Sequence, residues 1–191
     1  MFRILLVAMF VVMVFSPAFG QAQVFVTSEF SFDGNFGGLA GADTACTTAA
    51  TNANLPGDWT AWLSDGPTDA VDRILDAEYQ LLDGTVVANN KADLTDGTLD
   101  APINQDEHGN TLSAGFIVWT ATDIDGTFGL SGNCVNWTTA SNANTAQTGL
   151  LDSATATWTD AGGGAPCNTT HRLYCFADQE VPVELQEFSV E

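Results

Sequence analysis

The residues of this chain whose types and spacing could do chemistry fall into three sets. Cys46, Cys134, Cys167 and Cys175 are its four cysteines. Asp106 and Glu107, in the oxygen-rich stretch from Asp100 to Asn110, and Asp123 and Asp125, in Asp123-Ile124-Asp125-Gly126-Thr127, carry the ligand atoms a hard cation prefers. His108 stands beside Glu107 and Asp106, and His171 precedes Arg172.

Each set has a limited reach. An even cysteine count in an exported chain points to two disulfides rather than to metal ligands or a catalytic thiol, and four cysteines allow three pairings. The acidic loops lack the downstream bidentate glutamate of a complete calcium loop, and Asp-rich turns that cap themselves use the same residues. The expectation is therefore that no cofactor is required, with calcium admitted at Asp106, Glu107, Asp123 and Asp125. Adjacent loop residues seldom converge on one substrate atom, so His108 reads as a solvated loop histidine. Ser64-Asp65 lacks the glycine elbow of a serine hydrolase. His171-Arg172 is expected to pair with neighbouring acids. Of the five tryptophans, Trp59, Trp62, Trp119 and Trp137 read as core, and Trp158, in polar surroundings, is the candidate ligand contact.

The first 20 residues have the form of a signal peptide. Arg3 is followed by an apolar run from Ile4 to Phe15, and Ala18-Phe19-Gly20 offers small residues before a cut that leaves Gln21 first. The run is short of the ~20 residues of a spanning helix, so no membrane insertion is expected once the signal is removed. Without Arg3 the basic residues are Arg73, Lys91 and Arg172, in a chain with 24 acids and a formal net charge of −20. Such a surface repels nucleic acid and anionic lipid and attracts cations or a basic partner.

The elements that must position these residues can be read along the chain. Val24 to Thr27 is a short strand, and a glycine-rich turn leads to a helix from Leu39 to Ala53 that buries Cys46 and stops at Pro56-Gly57. Trp59 to Leu63 reads as an inner strand, and Thr68 to Leu75 as a helix with Thr68 as N-cap and Asp69 and Asp72 in its first turn. Tyr79–Leu82 and Thr85–Ala88 flank Asp83-Gly84, a two-residue hairpin signal. Asn89 to Ser113 is a long loop, and Phe116 to Thr120 is again a strand. About 155 residues, 24–178, form one α+β domain, and 179–191 form a C-terminal tail.

Ala61-Trp62-Leu63-Ser64, Asp72-Arg73-Ile74, Val118-Trp119-Thr120 with Asp125-Gly126, Cys134-x-x-Trp137, Cys167 and Leu173-Tyr174-Cys175-Phe176 follow one another as in endostatin. The chain resembles more closely a family of secreted bacterial proteins of unknown function that is similar to endostatin and grouped with C-type-lectin-like folds. The resemblance runs from Phe25 to Asp178. It implies a compact domain with nested disulfides, Cys46 to Cys175 and Cys134 to Cys167.

Endostatin-like heparin binding needs an arginine-rich face, whereas only Arg73 and Arg172 follow the signal. The zinc histidines near the mature N-terminus and the calcium–sugar triplets of C-type lectins are likewise absent. The reading is therefore a secreted or surface-exposed, non-enzymatic binding module that contacts an extracellular protein or glycan through the loop-rich face between Asn89 and Asp160. A structural component of an extracellular matrix or appendage is the alternative. A hydrolase acting on a cell-surface polymer ranks last.

Overall fold

Alternate residues of the first strand feed two different cores. A computed structural model describes residues 20–179, in which β1 (Gln21–Val26) buries Ala22, Val24 and Val26 in one apolar cluster and Phe25 in another. The signal-peptide expectation over residues 1–20 lies outside the described residues except at Gly20, and the tail expectation except at Gln179. The last strand, β8 (Tyr174–Ala177), divides in the same way: Tyr174 and Phe176 enter the first cluster, Cys175 and Ala177 the second. Side chains that alternate across a strand can do this only when both faces of the sheet are covered.

The sheet that separates the cores has five strands in the order β2-β8-β1-β3-β4, completed by β2 (Trp59–Ala61), β3 (Glu78–Gln80) and β4 (Val86–Ala88). β8 runs antiparallel to both β1 and β2, pairing Phe25 with Cys175 and Thr60 with Phe176. A second sheet, β5-β6-β7, comprises β5 (Ile117–Trp119), β6 (Thr145–Leu150) and β7 (Gly164–Pro166). The protein is a mixed α+β fold, mostly strands with few helices.

Helix α1 (Leu39–Asn52) covers the second core, with Ala42, Cys46 and Ala50 buried at helical spacing. It also closes the edge of the five-stranded sheet. Asp43 Oδ1 accepts from Ala61 N at 2.9 Å and Thr47 Oγ1 from Trp59 N at 3.0 Å, so helix side chains stand where a neighbouring strand would be. The strand expected at Trp59–Leu63 is thus an edge strand, buried because α1 lies against it.

All five tryptophans are buried, Trp59 at 1% exposure and the others at 0%. Trp158 lies in the 3-10 turn Ala156–Trp158, its ring 5.2 Å from that of Trp62 and 5.6 Å from that of Tyr174. This corrects its reading as a ligand contact, because no face of the indole is free. β6 has a glycine at the point of closest approach, because a Cβ on Gly149 would lie 1.9 Å from the Trp158 carbonyl oxygen.

Three local expectations are corrected. The helix at Thr68–Leu75 shrinks to α2 (Ala70–Arg73) with Asp69 at the N-cap position. Thr68 is held outside it, its N–H bonded to Asp65. Asp83-Gly84 does sit in a hairpin, but Leu81 N donates to Thr85 O, leaving three residues in the turn rather than two. The long loop after Asn89 contains α3 (Lys91–Leu94), capped by the Asn90 side chain on Asp93 N.

Candidate functional site

The loops between Asn89 and Asp160 lead from β4 into β5 and on around β6, and their most unusual element is a turn of the wrong hand. Cys134, Val135, Asn136 and Trp137 have φ of 53°, 55°, 55° and 61°, four consecutive non-glycine residues in the left-handed region. Trp137 N donates to Asn133 O at 2.8 Å and Thr138 N to Cys134 O at 3.1 Å, which makes this one turn of left-handed helix. L-residues disfavour that conformation by roughly 1–2 kcal/mol each. The surroundings offset the cost. Cys134 is bridged to Cys167, Asn133 Oδ1 accepts from Asn136 N at 3.0 Å, and Trp137 O accepts from the N–H groups of Gly37 and Gly38 at 3.0 Å each. The turn lifts Val135 to 57% exposure while Trp137 is buried.

The loop before it is fixed by polar contacts. Gln147, buried on β6, donates to Thr122 O at 3.0 Å and to Asp123 Oδ1 at 2.9 Å. Asp69 Oδ1 accepts from Phe128 N at 2.7 Å. These ties leave Ile124 and Leu130 outward, Leu130 at 93% exposure.

The disulfides pair Cys46 with Cys175 and Cys134 with Cys167. The first joins α1 to β8. The second joins the left-handed turn to the residue after β7, and Gly34 packs so closely on it that a Cβ there would lie 2.3 Å from Cys134 Sγ.

The carboxylates singled out for calcium occupy two separate places. Asp106 is buried and accepts from His108 N at 2.9 Å and Asn110 N at 2.8 Å, and Glu107 accepts from Ser28 N at 2.7 Å and from the Ser28 hydroxyl. Asp123 holds Gln147, and Asp125 Oδ1 accepts from Thr127 Oγ1 at 2.7 Å and Thr127 N at 3.1 Å. These Thr127 bonds hold the Asp125 carboxyl below the usual range. Among the described residues no group of three or more His, Cys, Asp or Glu converges as a metal cluster.

The histidines are far apart in role. His108 is exposed, with Nε2 3.9 Å from Glu107 Oε1. His171 packs its ring 4.4 Å from that of Trp119, with Nε2 2.9 Å from Thr169 Oγ1, and burial lowers its pKa. Ser64 is buried, its hydroxyl 2.9 Å from Thr122 Oγ1 and accepting from Ala70 N, so it serves the fold.

Among the described residues Arg172 pairs with no acid, contrary to expectation. Its guanidinium donates to the carbonyls of Thr27 and Ser28 and lies 4.8 Å from the Phe116 ring centroid and 5.6 Å from that of Phe30. Burial lowers its pKa, against the opposing pull of Glu107 and Asp106. Nothing in the local sequence signals this packing, because Phe30, Phe116 and Arg172 are far apart in the chain. The left-handed turn was equally hidden, since Cys-Val-Asn-Trp has no glycine to announce positive φ.

Among the described residues no helix is long and apolar enough to cross a membrane. No curated protein matches the sequence. A family match covers more than half of the chain, residues 29–157, and takes in α1, the loop that carries Ile124 and Leu130, and the left-handed turn. By that match the chain belongs to DUF1554, a family of proteins of unknown function.

Proposed function

We propose that the protein is an exported, non-enzymatic binding module with an endostatin-like, C-type-lectin-like architecture, which contacts an extracellular or cell-surface protein or glycan through the loops between Asn89 and Asp160. One observation carries this reading. Of the five large apolar side chains exposed among the described residues, four lie in that stretch: Phe116, Ile124, Leu130 and Val135. Apolar side chains held outward by ordered loops, rather than scattered over the surface, mark a contact surface.

The nested pairing of the cysteines supports the architectural part, since it is the pairing that the resemblance implies. Disulfides persist in oxidising compartments, which supports export. The test is a binding screen of the protein against a glycan array and a panel of secreted and surface proteins. Leu130→Ser with Val135→Ser is run in parallel. Saturable binding by the parent chain, weakened about tenfold or more in the double variant at unchanged melting temperature, is the expected result. Turnover of a surface polymer would move the protein to the hydrolases. Self-association that requires residues 179–191, without any ligand, would make it a structural component.

A further inference from the structure

Helix α1 presents its two flanks to different surroundings. Asp43 and Thr47 face β2, and the opposite flank, Gly41, Ala45 and Ala49, lines a cleft of about 470 Å³. These three residues are half-buried and recur at intervals of four, so their small side chains leave the space open. Ser28, from the segment after β1, and Glu107 and His108, from the long loop after β4, also line it.

Glu107 and His108 give the cleft its chemistry. The Glu107 side chain is only 6% exposed, whereas that of His108 is 51% exposed. Ser28 holds the buried carboxylate in place through its N–H, at 2.7 Å, and through its hydroxyl. A carboxylate offers about four acceptor sites, so these two bonds leave capacity for a ligand. His108 Nε2 stands 3.9 Å from Glu107 Oε1, too far for a hydrogen bond between them. One ligand hydroxyl at about 2.8 Å from each can bond to both.

The rest of the lining narrows the ligand. Thr44 and Thr48 donate their hydroxyl protons to Ala40 O and Thr44 O, so towards a ligand they only accept. Asn52, exposed at the last position of α1, both donates and accepts. The ligand must therefore carry donors and acceptors close together, and an apolar face for Ala45, Ala49 and Phe32. Sugar rings have both. An extended peptide is commonly held by free backbone groups of a sheet edge, and the backbone of α1 is bonded within the helix. No lysine or arginine lines the cleft and two glutamates do, so an acidic sugar is repelled.

We propose that the cleft between α1 and the Glu107–His108 loop binds a neutral oligosaccharide, one hydroxyl bridging Glu107 and His108 and others bonding to Thr44, Thr48 and Asn52. This names a ligand class for the binding module proposed above and rests on that reading, since Glu107 and His108 belong to its loops.

Cellotetraose, maltotetraose and chitotetraose, titrated into the full chain and followed by amide shifts, test this. The expected result is saturable binding of at least one of them, with shifts on α1, at Ser28 and at residues 107–108. Glu107→Gln should weaken it about tenfold or more, and His108→Ala, at an exposed side chain, about threefold or more. Ala49→Leu fills the floor and should weaken it about tenfold at unchanged melting temperature. Should Glu107→Gln disturb the fold through Ser28, the other two variants decide. Leu130→Ser with Val135→Ser leaves the cleft intact and should change sugar affinity less than about twofold. Sugar binding lost in that pair and kept in the cleft variants would overturn the cleft and leave the outward loops as the contact surface. No saturable binding of any of these sugars would overturn it too, and a protein partner found in the screen would then keep the binding module without this site. Saturable binding of hexa-arginine but of no sugar, lost in Glu107→Gln, would assign the cleft to a basic peptide and overturn the proposal.

Discussion

The indole Nε1 of Trp137 donates to the backbone oxygen of Ser64 at 2.8 Å and so ties the left-handed turn to the residues that follow β2. The bond is buried, and it places the ring where it packs on Trp119 at 5.9 Å and on Phe36 at 5.8 Å. Trp137→Phe would leave the Ser64 carbonyl unpaired and a void beside it. The expected loss is about 2–4 kcal/mol of unfolding free energy, measured by denaturant titration. A loss under about 0.5 kcal/mol would mean that the turn is held without it.

The two disulfides should differ in kind as well as in size. The Cys46–Cys175 bridge spans 129 residues and the Cys134–Cys167 bridge 33. Loop-closure entropy assigns them about 5 and about 4 kcal/mol. Replacing Cys46 and Cys175 by alanine should lower global stability with little change in the relative protection of amides. Replacing Cys134 and Cys167 should also release the left-handed turn. Hydrogen exchange at Trp137 N and Thr138 N should then quicken beyond the global change, and quickening there by no more than the global change would contradict this.

Stability should fall as pH drops through the histidine range. Burial lowers the pKa of His171, so near and below its unfolded value of about 6.5 the unfolded chain takes up a proton that the folded chain does not. The stabilisation is complete above that pH and is lost as pH falls towards the folded pKa. Asp83 and Asp125, both with lowered pKa, act only in the carboxylate range further down. His171→Gln should flatten the slope of unfolding free energy between pH 7 and about 5.5. An unaltered slope would assign it to another group.

A chelator should leave the melting temperature unchanged. The carboxylates of Asp106, Glu107, Asp123 and Asp125 already accept hydrogen bonds from their own turns or from Ser28 and Gln147, which is the work a bound cation would otherwise do. A drop in melting temperature on chelation, reversed by added calcium, would show a site that forms by rearranging these turns.

Much of the scaffold was legible from local pattern. The spacing of Ala42, Cys46 and Ala50 marks the buried face of α1, and Pro56-Gly57 marks its end. Asp83-Gly84 marks the hairpin, although the extra residue in its turn depends on the pairing beyond it. What the sequence hid is contact between distant residues. Arg172 sits between Phe30 and Phe116 where an ion pair was expected, and Trp158 owes its burial to Trp62 and Tyr174 rather than to its neighbours in the chain. The backbone bond from Asp178 N to Asp58 O likewise joins residues that no window along the sequence contains.

The position of β8 between β2 and β1 has a consequence in time. Synthesis delivers β1, α1 and β2 first, yet no strand ladder joins β1 to β2 until Tyr174–Ala177 arrives between them. A growing chain therefore cannot complete its five-stranded sheet until nearly all of it has been made. A fragment cut at the bounds of the family match, residues 29–157, would lack that strand and most of β1, and would not fold alone.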